Sequence, residues 1–145
     1  EGALVDEQLS ECLQGDSRFL LLVSLENLEA FRELYGFVAS DDVLRAVSLM
    51  IHNAMREVGS ADSFLGHLGT AEFVLIISAE LAPILLERVV SRLEQSLDYF
   101  YPIRDRDGAV NWDNRLAIKT AKISSCGDVA QTPAELKEAL LSLKN

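Results

Sequence analysis

Cysteine is scarce in this chain and long apolar runs are missing, which excludes two classes of protein. The 145 residues contain two cysteines, Cys12 and Cys126, which form no Cys-x-x-Cys motif and allow one disulfide at most. We therefore expect two reduced thiols rather than a disulfide framework. No apolar run approaches the ~18–20 residues of a membrane span. No basic region followed by an apolar segment marks a signal peptide, so a cytoplasmic location without membrane contact is expected.

Basic side chains are also few. Thirteen lysines and arginines face 23 acidic residues, which gives a net charge of −10. An acidic surface repels nucleic-acid polymers and anionic membranes, so neither is expected as a partner. A polyphosphate ligand would need a metal ion or a local basic pocket to overcome the same repulsion.

Apolar residues make up 49% of the chain, and their periodicity predicts one α+β domain over residues 1–145. Strand-like runs alternate with amphipathic segments, yet two strands in the middle form a hairpin, which favours a mixed sheet. Ser40 is the predicted N-cap of the longest helix, and the aromatic region 99–114 is predicted to be irregular. The predicted helices cover 3–14, 26–35, 41–58, 83–97 and 133–143, and the predicted strands cover 19–25, 63–68, 72–78 and 116–124.

The hairpin contains the most informative motif. Its apolar strands flank Gly69 and Thr70, and a glycine in the first position of a two-residue loop predicts a type II′ turn. This turn would place the carboxylate of Glu72 beside the methyl group of Ala71, next to the end of a neighbouring strand.

Three segments together resemble the GGDEF family of diguanylate cyclase domains. Residues 19–37 match its first strand and helix, which in the family contain DxDxFKxxND and then YGH. Residues 40–44 match its GD-x-hL segment, where h is apolar. The hairpin residues Gly69, Thr70, Ala71, Glu72 and Phe73 stand where the family has GGDEF. The resemblance implies a central five-stranded, mixed and mostly antiparallel sheet flanked by helices, with the fifth strand hidden in 99–114.

The resemblance also implies a chemistry, and the residues that the chemistry uses are changed here. Active members join two GTP molecules into cyclic di-GMP with Mg²⁺ or Mn²⁺, which prefer carboxylate oxygens. In the family these come from the first Asp of DxD and the third letter of GGDEF. Ser24 and Ala71 occupy these two positions. We therefore expect no catalytic residue, no metal and no cofactor, with Mg²⁺ relevant only if GTP is bound.

The remaining nucleotide contacts are mixed. Asp41, the carbonyl of Leu25 and Glu72 could still contact a nucleotide, whereas Arg32 stands at the guanine-contacting asparagine. Glu29 replaces the lysine of the FK pair, and Thr70 replaces the second glycine of the hairpin. The RxxD product-inhibition motif falls on residues 60–63, with serine at both ends, and the basic C-terminal phosphate-binding segment has no counterpart.

Three functions follow from these positions. The preferred one is a catalytically inactive GGDEF-like domain that serves as an interaction or signal-relay module in bacterial signal transduction, beside a receiver domain as in a response regulator, or a sensor domain. Its partners would be other domains of the same signalling protein or a separate protein, and a homodimer is one arrangement. The first residue, Glu1, indicates a fragment of a longer protein. The alternatives are a GTP-binding regulatory pseudo-enzyme and an active cyclase with Glu26 and Glu72 as metal ligands.

Overall fold

A computed structural model describes residues 2–14, 18–59, 63–106 and 113–144. The helices are α1 (Gly2–Leu13), α2 (Leu28–Val58), α3 (Ala82–Ser96), the single turn α4 (Cys126–Val129) and α5 (Pro133–Leu143). The strands are β1 (Arg18–Glu26), β2 (Phe64–Gly69), β3 (Glu72–Ser78) and β4 (Ala117–Ile123). Two 3₁₀ turns, Leu97–Phe100 and Ile103–Asp105, follow α3. The predicted order of elements is confirmed, with α4 as an addition.

The sheet has four strands in the order β2-β3-β1-β4, and every pairing among them is antiparallel. The α+β class with a sheet flanked by helices is confirmed, whereas the predicted mixed sheet is not found, because the four described strands pair only antiparallel. The fifth strand that the resemblance implies is not found in 99–106 or 113–114, and the rest of that predicted irregular region, including Trp112, lies outside the described residues. Within the described ranges, no helix combines the length and apolar character needed to cross a membrane.

Strand β1 is central and is buried on both faces, as its unbroken apolar run predicts. Its odd-numbered residues Leu21, Val23 and Leu25 pack with α2 and α3. Its even-numbered residues Leu20 and Leu22 pack with α1, α4 and α5. Because side chains alternate along a strand, one strand supplies both layers of the core. At the C-terminal end of β1, the polar residues Ser24 and Glu26 replace the apolar residues that precede them on the same face.

Helix α2 is broken at Gly36, where the backbone has φ 94° and ψ 174°. These angles are open to glycine and to almost no other residue. The break confirms the predicted end of a short helix at Gly36. The predicted N-cap at Ser40 is wrong, because the second half of α2 starts directly after Gly36. Ser40 lies inside it, buried, and its hydroxyl donates to the Phe37 carbonyl at 3.0 Å.

The hairpin turn is shifted by one residue from the prediction. Strand β2 includes Gly69, which pairs with Glu72, and the turn consists of Thr70 and Ala71. The type II′ turn is therefore wrong, because it needs a positive φ at Gly69 and the positive-φ glycines of the described residues are Gly36 and Gly59. A register shift between His67 and Gly69 takes up the extra residue, so the sheet keeps the predicted pairing of the apolar runs.

Candidate functional site

The end of β1 meets the hairpin tip, and their pairing brings the predicted site residues together. Ser24 lies directly opposite Glu72 in the antiparallel register of β1 and β3. The Leu25 amide donates to the Ala71 carbonyl at 2.9 Å, beyond the last pair of the ladder. Ser24 and Ala71, the two family metal positions, therefore lie side by side at one edge of the sheet.

A cleft with a volume of about 630 Å³ opens at this edge, between the end of β1, the first turns of α2 and the hairpin. The cleft is lined by the end of β1, the start of α2, the hairpin turn, the residue that follows α5 and Asn114. The lining residues are Ser24, Leu25, Glu26, Asn27, Leu28, Glu29, Ala30, Arg32, Glu33, Thr70, Ala71, Glu72, Asn114 and Lys144.

Carboxylates dominate the charge of the cleft. Among the described lining residues, four glutamates face two cations, Arg32 and Lys144. The formal charge is therefore negative, which opposes the entry of a triphosphate. Glu29, at the position of the family's lysine, is exposed at the mouth of the cleft and adds to this repulsion.

The predicted start of a helix at Glu26 is wrong, because Glu26 is the last residue of β1 and α2 begins at Leu28. Strand β1 persists to Glu26, so its side chain lies on the same face as that of Ser24, two residues earlier. The Ser24 hydroxyl donates a hydrogen bond to the Glu26 carboxylate. The serine at the first family metal position is thus engaged by a neighbouring residue rather than free to receive a ligand.

The feature that the sequence did not reveal is Lys144, just after α5. Its ammonium donates to Glu26 Oε2 at 3.1 Å and to Ser24 Oγ at 3.4 Å, and lies 3.6 Å from Glu72 Oε2. One cation therefore joins the end of β1, the hairpin and α5. The sequence separations of 118 and 120 residues give no local signal for this contact.

Ionisation of these groups is coupled. Burial is the largest influence on Glu26 and disfavours its charge, but the hydrogen bonds from Ser24 and Lys144 outweigh it and lower the pKa of Glu26. Burial likewise disfavours the charged form of Lys144, yet Glu26 and Glu72 together raise the pKa of Lys144 above its usual value. The arrangement therefore stabilises a carboxylate and an ammonium in contact.

Two other positions predicted from the family lie apart from this cluster. The Arg32 side chain turns toward the second half of α2, where Nε donates to Ser40 Oγ at 3.2 Å and the guanidinium lies 5.2 Å from the centroid of Phe37. Asp41 is exposed on α2 and is not among the described residues that line the cleft. The structure thus unites Leu25 and Glu72 but does not bring Asp41 to them.

The hairpin residues serve different purposes. Phe73 is fully buried in the core and packs against His67, with ring centroids 4.8 Å apart. A Cβ atom at Gly69 would lie 2.7 Å from Glu72 Oε1, so glycine leaves room for that carboxylate. Thr70 is exposed at the turn, beside the cleft.

Of the RxxD-equivalent positions, Ser63 is described and residues 60–62 lie outside the described residues.

The donor set does not fit a divalent cation. Across the described ranges, no group of three or more His, Cys, Asp or Glu side chains is arranged to hold a metal ion. The two carboxylates nearest the family metal positions, Glu26 and Glu72, share the Lys144 ammonium. A divalent cation at the same oxygens would lie against a like charge.

The fold defines a class, an α+β domain in which a strand end and a hairpin tip form a cleft. The family described as "Diguanylate cyclase, GGDEF domain" matches residues 3–126. The chain therefore belongs to the GGDEF family. No curated protein sequence shows significant similarity to it.

Solved structures share the fold. The GGDEF domain of PA1120 (YfiN or TpbB) from Pseudomonas aeruginosa has 21% identity and a TM-score of 0.63, with 97% of this chain and 84% of that chain covered. The active GGEEF domain of a Vibrio cholerae diguanylate cyclase has 14% identity and a TM-score of 0.58, with 96% and 82% covered.

A multidomain relative is also similar. The S helix-GGDEF-EAL structure of Vibrio cholerae LapD, bound to c-di-GMP, has 17% identity and a TM-score of 0.63. The match covers 97% of this chain and 31% of that longer chain. GGDEF domains thus occur beside other domains in cyclic di-GMP signalling proteins.

Proposed function

We propose that this domain is a catalytically silent GGDEF domain that acts as an interaction or signal-relay module in a cyclic di-GMP signalling protein. The observation that carries the proposal is that Ser24, opposite Glu72, and Ala71, which accepts from the Leu25 amide, lie at the sheet edge where the family places its two metal-binding carboxylates. A hydroxyl engaged with Glu26 and a methyl group supply no anionic ligand there.

The chemistry explains why this loss is decisive. Joining two nucleoside triphosphates requires a cation that neutralises the phosphates and lowers the barrier to attack by a 3′-hydroxyl. Among the described residues, four glutamates and two cations line this cleft, and neither family metal position holds a carboxylate. Ser24, Glu26 and Lys144 hydrogen-bond to one another, and we infer that this cluster is unsuited to phosphoryl transfer.

A silent domain retains surfaces that a signalling protein can use. Other domains of the same polypeptide are the first candidate partners, a separate protein is the second, and a homodimer is a further arrangement. The net charge of −10 favours partners with basic or neutral faces over nucleic-acid polymers and anionic membranes. A cytoplasmic location suits such a relay.

A direct test is to incubate the purified domain with GTP and either Mg²⁺ or Mn²⁺ and to separate the products by chromatography. We expect no cyclic di-GMP, while the active Vibrio cholerae GGEEF domain, assayed in parallel, forms it. The Glu72→Ala variant is expected to behave as the wild type does.

Cyclic di-GMP formation by the wild-type domain would contradict the proposal. If that product then disappears in Glu72→Ala, Glu72 is a displaced metal ligand and the domain is an active cyclase. A product level unchanged in that variant would remove Glu72 from the mechanism.

The persistence of a cleft of about 630 Å³ favours one second candidate, a pseudo-enzyme that binds GTP as a regulatory signal. Leu25 and Glu72 would be the contacting residues in the cleft. Saturable GTP binding without product formation would favour this candidate over a pure interaction module.

A further inference from the structure

The C-terminal end of α5 places a positive charge inside the cleft. Helix α5 is anchored to the sheet by Leu136 and Leu140, which are fully buried. Lys144 follows the helix directly, and its side chain is about one-fifth exposed. The anchored helix therefore holds the ammonium at a defined place rather than leaving it in solvent.

The contacts of this ammonium are those of a coordinated cation. It lies within 3.6 Å of three oxygen atoms, contributed by Ser24, Glu26 and Glu72, on two neighbouring strands. Two of its three N–H groups donate hydrogen bonds, to Ser24 and Glu26, and Glu72 at 3.6 Å is an ion-pair partner. The carboxylates would otherwise be two negative charges gathered at a partly buried strand end.

We propose that Lys144 is a tethered cation that takes the place of a divalent metal in this cleft and excludes one. The proposal deepens the proposed function, on which it rests, because it names what neutralises the cleft after the loss of the family ligands. The same contacts of Lys144 connect the C-terminal end of α5 to β1 and to the hairpin tip.

Two further observations support this assignment. Glu26 and Glu72 raise the pKa of Lys144 against the effect of its burial, so the group is charged in the pH range of ordinary experiments. Lys119, on β4 opposite Ser24, adds a more distant positive charge that helps to lower the pKa of Glu26. Lys119 is exposed, whereas Lys144 is in direct contact.

The test is a titration of the intact chain with Mn²⁺ alone, followed by electron paramagnetic resonance of the free ion. In the wild type we expect no saturable binding at the cleft. In Lys144→Met, which keeps an unbranched side chain one atom shorter and removes its charge, we expect saturable Mn²⁺ binding at least about tenfold tighter than the weakest affinity that the titration detects, because two carboxylates lose a like-charged competitor.

Matched controls separate the ammonium from other effects. Lys144→Arg keeps a positive charge and is expected to remain without Mn²⁺ binding. Lys137→Met removes a lysine from the same helix, where it pairs with Asp6 of α1 at 2.7 Å, and is expected to match the wild type. Adding Glu26→Gln to Lys144→Met is expected to abolish the gained binding.

The outcomes are decisive in both directions. Wild-type Mn²⁺ binding as tight as that of Lys144→Met, or a Lys144→Met affinity no higher than that of Lys137→Met, would overturn the tethered-cation proposal. Circular dichroism melting verifies folding, and Lys144→Gln replaces Lys144→Met if the latter unfolds. Failure here leaves the chromatographic result on catalysis unchanged, so the two proposals fail separately.

Discussion

Tyr35 shows how a single residue links the first half of α2, directly before the break at Gly36, to the segment after α3. Its hydroxyl donates to Asp105 Oδ2 at 2.6 Å, and its ring lies 4.8 Å from that of Phe31 and 5.9 Å from that of Tyr101. Partial burial and then the neighbouring carboxylate of Asp105 raise the pKa of Tyr35 to about 12. The phenol is therefore held neutral in the folded protein.

An alkaline titration tests this residue. Because the folded pKa is raised from 10.0 to about 12, the stabilisation is complete below pH 10 and is lost as the pH rises through 12. Tyrosinate absorbance in the ultraviolet should lose one late-titrating group in Tyr35→Phe, whereas Tyr101, whose pKa burial also raises, should still titrate late. Asp105→Asn should move the Tyr35 pKa back toward its ordinary value. An unchanged titration curve in Tyr35→Phe would contradict this assignment.

Gly36 sets the shape of α2 at the scale of the element. Its backbone at φ 94° and ψ 174° breaks the helix, and across the break Arg32 reaches Ser40. A Cβ atom at this position would meet nothing within 4 Å, so the cost of a side chain is in the backbone alone. The break thereby turns Arg32 toward the second half of the helix.

We expect Gly36→Ala to destabilise the domain by about 1–3 kcal/mol, because alanine is strained in this region of φ and ψ. Urea unfolding followed by circular dichroism measures the change. Gly59→Ala is the matched control, since Gly59 also has open space around it but has ordinary left-handed angles, φ 84° and ψ 34°. A loss for Gly36→Ala no larger than that for Gly59→Ala would be inconsistent with the strained break.

The sequence predicted elements well where periodicity and burial agree. The apolar run 19–25 predicted strand β1. The predicted helix over 133–143 is α5, and its N-cap Thr132 accepts from the Glu135 amide at 3.2 Å. Ser40 misled the prediction because a serine that satisfies a helix start also fits inside a helix when its hydroxyl bonds to a preceding carbonyl.

The site was predictable in part for a related reason. Ser24, Leu25, Ala71 and Glu72 follow from antiparallel pairing, which fixes neighbours once the strands are recognised. Lys144 was not, because its partners are fixed by how α5 docks on the sheet, and docking depends on packing over long sequence separations. The hairpin turn is shifted from its predicted position by one residue. The alternation of apolar residues does not specify the position of a turn that closely.

At the scale of the whole molecule, two core layers on opposite faces of the sheet support one polar edge. The layer of α1, α4 and α5 positions Lys144, and the layer of α2 and α3 positions the cleft wall that carries Arg32. Both layers depend on β1, so the end of β1 is where their contributions meet.

The most direct measurement is a calorimetric titration of the intact domain with GTP in the presence of Mg²⁺. The account predicts no saturable heat, because the cleft has neither of the family's metal-binding carboxylates and its own carboxylates are joined to Lys144. Saturable binding that requires Mg²⁺ and is lost in Glu72→Ala would contradict the claim that this edge of the sheet no longer holds a metal–nucleotide complex.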